Sequence, residues 1–176
     1  MSDESSDNQS TDGDDLVVRA RTDRAAFGSL FDRYYPRVLR YCRRRLFDLS
    51  VAEDATSEVF LKVAAHYVEF AGRTETDFRC WLFRIATNAV HAQLRQSLRR
   101  QELWEAAARS GALDRSRTAP DPASTDPLSD WPAIYRAILE LNDREQSIVM
   151  LRFFADLSHE EIANIVRSEE HTSELQ

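Results

Sequence analysis

The chain has 176 residues and 43% hydrophobic residues, which suits one or two small domains with a buried core. Its four glycines and five prolines argue against a turn-rich all-β fold, and good helix formers dominate the composition. No apolar run approaches the roughly 20 residues of a membrane helix, and the first residues do not form a signal peptide, so we expect a cytoplasmic protein without membrane insertion. The net charge of −7 argues weakly against a nucleic-acid partner, but its distribution matters more than its sum.

The N-terminal end is acidic and polar. Six acids and no base lie in the first fifteen residues, and we expect residues 1–13 to form a disordered tail. A short helix is predicted from residues 14–15, and Thr22 or Asp23 is predicted to cap a longer one. Pro36 interrupts the apolar pattern of that longer helix and is expected to kink or split it.

The next predicted helix carries a local acidic face. Ser50 and Glu53 match the S-x-x-E capping box at its start. Glu53, Asp54, Ser57 and Glu58 lie on one side of the helix, away from its apolar residues, and could receive a basic partner helix. The alternative is an ordinary solvated face, with acids placed where the helix dipole favours them.

A basic amphipathic helix follows, from Asp77 to Arg100, with Thr76 or Asp77 as its predicted cap. It has no acidic residue after Asp77 and contains five arginines. Arginines attract phosphates, and the asparagine and threonine between them can read base edges, so this helix could lie against nucleic acid. The alternative is that the arginines are merely solvated. The apolar face recurs in steps of three and four: Phe78, Trp81, Leu82, Ile85, Ala89 and Leu94.

Residues 110–130 contain three prolines and almost no large apolar residue, which predicts a linker between two domains. Residues 131–166 then contain two capping-box patterns, at Asn142–Glu145 and Ser158–Glu161, each opening an apolar helix. Two such helices joined by a tight turn are typical of the first half of a helix-turn-helix, although any small helical bundle could show this pattern.

The sequence contains no pattern that indicates catalysis. No nucleophile–base pair, metal-ligand cluster or glycine-rich phosphate loop is visible, and the four histidines are scattered. Cys42 and Cys80 are isolated and are expected to be reduced thiols. We therefore predict a protein that is not an enzyme, with no catalytic residue, no metal and no cofactor.

Four blocks of the chain resemble the group IV, or extracytoplasmic-function (ECF), sigma factors of the sigma-70 family. The resemblance covers residues 16–166, and the blocks come in the order of the family. It implies an all-α fold, with a region 2-like helical domain (14–109), the linker and a partial region 4-like domain (131–166). It also implies three partners: core RNA polymerase, promoter DNA and an anti-sigma factor. The blocks are FGSLFDRYYPRVLRYCRRRL, AEDATSEVFLKV, FRCWLFRIATNAVHAQLR and LNDREQSIVMLRFFADLSHEEIANIV.

The resemblance assigns roles to individual residues. The acidic helix resembles the surface that grips the clamp helices of the largest polymerase subunit. The basic helix and the loop before it resemble the part that melts and reads the −10 element, with residues 70–74 as the wall of a base pocket. Two departures from the family are Ser57, where glutamine is common, and Ala92, where aspartate is common. The polymerase-binding residues would be Glu53, Asp54, Ser57, Glu58 and Leu61. The DNA-binding residues would be Phe70, Arg73, Thr74, Arg84, Thr87, Asn88, His91 and Arg95.

The C-terminal end departs from the family more strongly. A sigma factor continues after Val166 with a basic recognition helix, whereas this chain continues with RSEEHTSELQ. We interpret residues 167–176 as a non-native tail and the helix-turn-helix as truncated, with a real acidic tail as the alternative. The predicted function is a sigma factor for transcription initiation. The alternatives are a helix-turn-helix DNA-binding regulator that acts without polymerase, and a helical protein-interaction module.

Overall fold

The computed structural model describes residues 4–109, 137–138 and 140–173, and the side chains of residues 12–103, 137–138 and 140–167. The regular secondary structure in these ranges is helical, without a strand, which confirms the all-α prediction; the linker 110–130 lies outside the described residues. Within the described residues, no helix is long and apolar enough to cross a bilayer. The α-helices with described bounds are α1 (Glu4–Arg19), α2 (Arg24–Leu46), α3 (Leu49–His66), α4 (Glu75–Arg109), α5 (Asp143–Phe154) and α6 (His159–Ser173), and a 3₁₀ turn (Tyr67–Glu69) follows α3.

The core of the first half lies between α2, α3 and α4. Each helix buries residues three or four positions apart, because that spacing places side chains on one helical face. These side chains include large aromatic rings, which pack mostly edge to face. The largest fully buried side chains of this half are Tyr34, Tyr41, Phe78, Phe83, Leu30, Leu82, Val17 and Val38.

The first helix begins at Glu4, ten residues before its predicted start at residues 14–15. Residues 4–13, which the sequence assigned to a disordered tail, are therefore helical in the structure. The end of α1 is held by Val17, which is fully buried, and by Asp14, whose Oδ1 accepts a 2.6 Å hydrogen bond from the backbone N–H of Glu75. Acidic side chains are favourable near a helix N-terminus, so the acidic stretch can extend the helix from this anchored end.

Helix α2 begins at one of the two predicted caps. The carboxylate of Asp23 accepts a 2.8 Å hydrogen bond from the N–H of Ala25. The helix then continues through Pro36 without being split. It ends at Phe47, a residue in the left-handed conformation (φ 56°), whose N–H bonds back to the last turn.

Helices α3 and α4 start at caps other than the predicted ones. Asp48 rather than Ser50 caps α3, because it is the first extended residue after the end of α2 and its carboxylate accepts an N–H of the first turn at 3.0 Å. At the start of α4, Thr74 Oγ1 accepts the N–H of Asp77 at 3.0 Å. In return, Asp77 Oδ2 accepts the N–H of Thr74 at 3.1 Å, so these two residues form a reciprocal cap, and the capping residue Thr74 precedes the predicted Thr76 or Asp77.

Both capping boxes predicted in the second half are confirmed. Asn142 and Glu145 exchange side-chain and backbone hydrogen bonds of 2.9 and 3.0 Å at the start of α5. Ser158 and Glu161 do the same at the start of α6, with distances of 2.7 and 3.3 Å. Asp156, with φ 54°, forms the tight turn between the two helices, and aspartate is one of the residues that tolerates this conformation.

The second half packs directly on the first, which the sequence did not predict. Helix α5 contacts α2, and α6 contacts α4. The buried apolar side chains of the second half join those of the first in one cluster. The described residues that the second half adds to it are Ile138, Met150, Leu151, Ala155, Leu157, Ile162, Ile165 and Val166.

Candidate nucleic-acid interface

The five residues predicted to bind polymerase lie together on the outer face of α3. Glu53, Asp54 and Ser57 are exposed, and the side chain of Leu61 is 71% exposed despite being apolar. Glu58 forms a 2.7 Å ion pair with the residue one turn later, Lys62. The opposite face of α3 is buried against α2 and α4, so the core fixes the direction in which this acidic face points.

A pair of stacked aromatic rings lies at the start of α4. The rings of Phe70 and Trp81 are 4.7 Å apart and nearly parallel, with 19° between their planes. Trp81 is only partly buried, so it is both a core contact, as its apolar spacing predicts, and part of the surface. The pair borders an open groove of about 740 Å³. The groove is lined by Glu69, Phe70, Ala71, Gly72, Asp77, Cys80, Trp81, Arg84, Asn164 and Arg167.

Hydrogen bonds and close packing fix the conformation of the loop before α4. Arg21 of the α1–α2 turn donates a hydrogen bond to the carbonyl of Gly72, and Asp77 accepts the N–H of Arg73 at 3.0 Å. A Cβ atom at Gly72 would lie 2.3 Å from the ring of Phe70 and 2.6 Å from the Cβ of Asp77. Glycine is therefore required at this position, since any side chain would push the Phe70 ring away from its stack.

Glu75 joins the first helices to the start of α4. Its Oε1 accepts a 2.5 Å hydrogen bond from the Tyr34 hydroxyl and a 3.0 Å bond from Arg33. Burial would raise the pKa of Glu75, but these two donors outweigh burial and the pKa is lowered. Burial and the Glu75 carboxylate together raise the pKa of Tyr34. Sequence reasoning missed this network because its members lie more than 40 positions apart and follow no local pattern.

Arg84, Asn88 and Arg95 share one face of α4, continuing from Trp81 along the helix. Asn88 and Arg95 are exposed, and Arg84 is partly buried at the edge of the groove. Arg73 and Thr74 are exposed in the loop at the end of this row. The structure therefore brings these residues and Phe70 together on one surface.

The structure contradicts the prediction that Thr87 binds DNA. It is fully buried, and its Oγ1 lies 3.1 Å from the Tyr41 hydroxyl and 2.8 Å from the carbonyl oxygen of Phe83, to which it donates. A side chain in this position does not reach DNA. The helical period explains the error, because Thr87 lies a quarter turn away from the face that carries Asn88.

Replacing Thr87 with valine is expected to lower the free energy of unfolding by about 1–2 kcal/mol, because a buried hydroxyl and its hydrogen bonds are removed. Serine at this position keeps the hydroxyl and should cost less. Urea unfolding measures both variants. Binding of a −10 oligonucleotide at 20 °C should be the same for T87V and wild type, and a selective loss of DNA binding at unchanged stability would contradict the buried role.

His91 also differs from its prediction, because it faces the second half of the chain. Its Nε2 lies 3.2 Å from the Ser147 Oγ of α5. Burial, and then the positive charge of Arg45, lower the pKa of His91 from its usual 6.5, so the ring is mainly neutral at pH 7. A neutral, partly buried imidazole does not supply the phosphate contact expected from the sequence.

Comparison with known proteins agrees with this geometry. The model of Sigma-70 region 2 matches residues 30–100, which include most of α2, all of α3, the loop and most of α4. The model of Sigma-70 region 4 matches residues 137–176. The RNA polymerase sigma factor CarQ of Myxococcus xanthus is 34% identical over 143 residues, which are 78% of this chain and 74% of CarQ. The chain belongs to the sigma-70 family.

Two further relatives are sigma factors, and one of them is of the ECF type. The ECF RNA polymerase sigma factor BldN of Streptomyces coelicolor is 34% identical over 159 residues, 89% of this chain but only 58% of BldN. The sigma factor YlaC of Bacillus subtilis is 28% identical over 143 residues, 81% of this chain and 80% of YlaC. The region 4 match includes residues 167–176, and their interpretation as a non-native tail stays a prediction.

Proposed function

We propose that this sigma factor binds core RNA polymerase and directs it to promoters, where it opens and reads the −10 element. This proposal is based on two separate surfaces of one helical bundle. An acidic face on α3 points outward, and a stacked aromatic pair with a row of polar and basic side chains lies along α4. We place this activity in the cytoplasm, and the protein acts by binding rather than by catalysis.

The α3 face suits a protein partner with basic side chains. Glu53, Asp54 and Glu58 supply negative charge, and the exposed Leu61 supplies an apolar contact beside it. Interfaces of this kind combine electrostatic steering with an apolar anchor. The partner proposed for this face is the clamp-helix region of the largest polymerase subunit.

The α4 surface suits an opened DNA strand. Unstacking a base costs a few kcal/mol, and stacking on aromatic side chains can offset this cost by about 1–3 kcal/mol per base. Phe70 and Trp81 provide such rings at the edge of the groove. Arg84 and Arg95 are proposed to contact phosphates and Asn88 a base edge or the backbone. Arg73 and Thr74 would extend this contact into the loop.

Reversing charge on the α3 face tests the polymerase contact. The double variant E53K/D54K is expected to weaken binding to core RNA polymerase on the order of 10-fold or more, because it places like charges against a basic partner. Surface plasmon resonance with immobilised core enzyme measures the affinity.

The matched control is D32K/E102K, which reverses two exposed acids on α2 and α4 and changes the net charge by the same amount. Equal weakening by both double variants would point to net charge rather than the α3 face. Wild-type protein that does not bind core polymerase would overturn the proposed function and leave a regulator or an interaction module as the function. An anti-sigma factor is a further partner proposed from the family alone.

A further inference from the structure

Two charged side chains near the N-terminus hold the backbone of the loop before α4 (residues 70–74). The guanidinium of Arg21, in the turn after α1, donates to the carbonyl oxygen of Gly72, 51 positions away. Asp14 on α1 accepts the N–H of Glu75, the first residue of α4, at 2.6 Å across 61 positions. Hydrogen bonds that involve a charged group are stronger than neutral ones. The loop is therefore anchored in its middle and at its far end by a distant part of the chain.

A third contact joins α1 to the stacked aromatic pair. The Tyr67 hydroxyl donates a 2.9 Å hydrogen bond to the carbonyl oxygen of Val17, and both residues are buried. Burial raises the pKa of Tyr67 to about 12, so the hydroxyl keeps the proton that it donates. The Tyr67 ring centroid lies 5.9 Å from that of Phe70 and 6.1 Å from that of Trp81. A shift of α1 would therefore reach, through Tyr67, the rings proposed to stack on a base.

The three contacts come from one side of α1 and the turn that follows it. Asp14, Val17 and Arg21 are separated by three and four positions, which is the spacing of one helical face. Gly13 is buried beside them, and a Cβ atom there would lie 2.7 Å from Cδ of Glu75. That carboxylate cannot easily move aside, because hydrogen bonds from α2 hold it. Glycine at position 13 thus lets α1 lie close against the start of α4.

We propose that Arg21 and Asp14 are positioning residues for promoter reading, which hold residues 70–74 in the conformation that accepts an unstacked base without touching DNA themselves. A loop already held in its binding conformation loses less conformational freedom when the correct base binds. The phosphate contacts proposed for Arg84 and Arg95 lie further along α4 and do not involve the loop. Loss of either positioning residue should therefore lower base discrimination more than overall DNA affinity. This inference rests on the proposed function.

Base discrimination by the holoenzyme tests the proposal. The full chain bound to core RNA polymerase is incubated with single-stranded DNA of random sequence, about 12 nucleotides long, and the bound strands are sequenced. The strand that the wild-type holoenzyme prefers and a scrambled strand of the same composition are then labelled, and fluorescence anisotropy gives the affinity for each. The ratio of the two affinities measures discrimination. Core polymerase without the sigma factor provides the background.

The variants R21M and D14A are each expected to lower this ratio at least about 5-fold, because a loop without its anchor no longer presents one conformation to the base. The affinity for the scrambled strand should stay within about twofold of wild type, since it depends on phosphate contacts. The matched controls are R24M and D15A. They make the same changes in charge at exposed positions nearby and should leave the ratio unchanged.

Conservative replacements separate positioning from a general loss of stability. R21K keeps a donor for the Gly72 carbonyl, and D14N keeps an acceptor for the Glu75 N–H, so both should retain most of the discrimination. Hydrogen exchange followed by mass spectrometry tests the anchors without DNA: residues 70–76 should exchange faster in R21M and D14A than in the two controls. If circular dichroism shows that one of these variants is unfolded at the assay temperature, the other carries the test.

Three results would count against the positioning role. The first is unchanged discrimination in a folded variant whose residues 70–76 exchange faster. The second is an equal loss of affinity for the preferred and the scrambled strand, which is expected of residues that only stabilise the fold. The third is equal exchange in the variants and their controls, since the anchors would then not hold the loop. A wild-type holoenzyme that selects no sequence would instead overturn the proposed function, and the positioning role with it.

Discussion

Promoter opening is expected to fall on the order of 10–100-fold when Arg84 and Arg95 are both replaced by glutamate. The two arginines lie on one face of α4, in line with the Phe70–Trp81 stack, and each is proposed to meet a phosphate of the opened strand. Each phosphate contact to a single strand contributes about 0.7 to the slope of log affinity against log salt concentration. The double variant should therefore reduce that slope by about 1.4, as well as lowering open-complex formation in a run-off or permanganate assay.

The control for this experiment is R99E/R100E, two exposed arginines further along the same helix and outside the proposed contacts. It makes the same change in net charge on the same element. Unchanged promoter opening in R84E/R95E, with core polymerase still bound, would remove α4 from the DNA interface. An equal loss in both variants would assign the effect to diffuse charge instead of to these two positions.

Replacing Phe78 with alanine is expected to lower the free energy of unfolding by about 3–5 kcal/mol, the usual range for deleting a buried aromatic ring. Phe78 is 1% exposed, and its ring centroid lies 5.2 Å from that of Tyr34, 5.9 Å from that of Tyr67 and 6.2 Å from that of Trp81. For a chain of this length the melting temperature should fall by roughly 2–4 °C per kcal/mol, which circular dichroism measures.

The Phe78 variant also tests whether the core supports DNA binding separately from its effect on stability. Because its ring lies 6.2 Å from that of Phe70, its loss should loosen the stacked pair and weaken −10 DNA binding even at temperatures where the variant is folded. The control is F153A, since Phe153 is 71% exposed and its loss should change stability by about 0.5 kcal/mol or less. A stability change for F78A as small as that of F153A would contradict the described core.

Local patterns predicted those features of the fold that depend on residues close in sequence. The capping boxes at α5 and α6 were correct because both partners of each lie within one turn. The acidic face of α3 was also predictable, since a helical period places its residues on one side once the apolar side is known. The predicted cap of α3, Ser50, was wrong. Helix α2 ends at Phe47 in the left-handed conformation, and this places the next residue, Asp48, in the extended conformation of a cap.

The amino-acid sequence alone determined the helical class, the two-part organisation, the membership of the sigma-70 family and the outward acidic face of α3. These follow from composition, from spacings of three and four residues, and from blocks of residues in order. Only the tertiary structure decided that Thr87 is buried, that His91 faces Ser147 and that Glu75 joins three helices. It alone decided that Glu161 docks on Arg79, 82 positions away. Each of these depends on which helices pack together, and packing is set by the free energy of the whole core and not by any local run of residues.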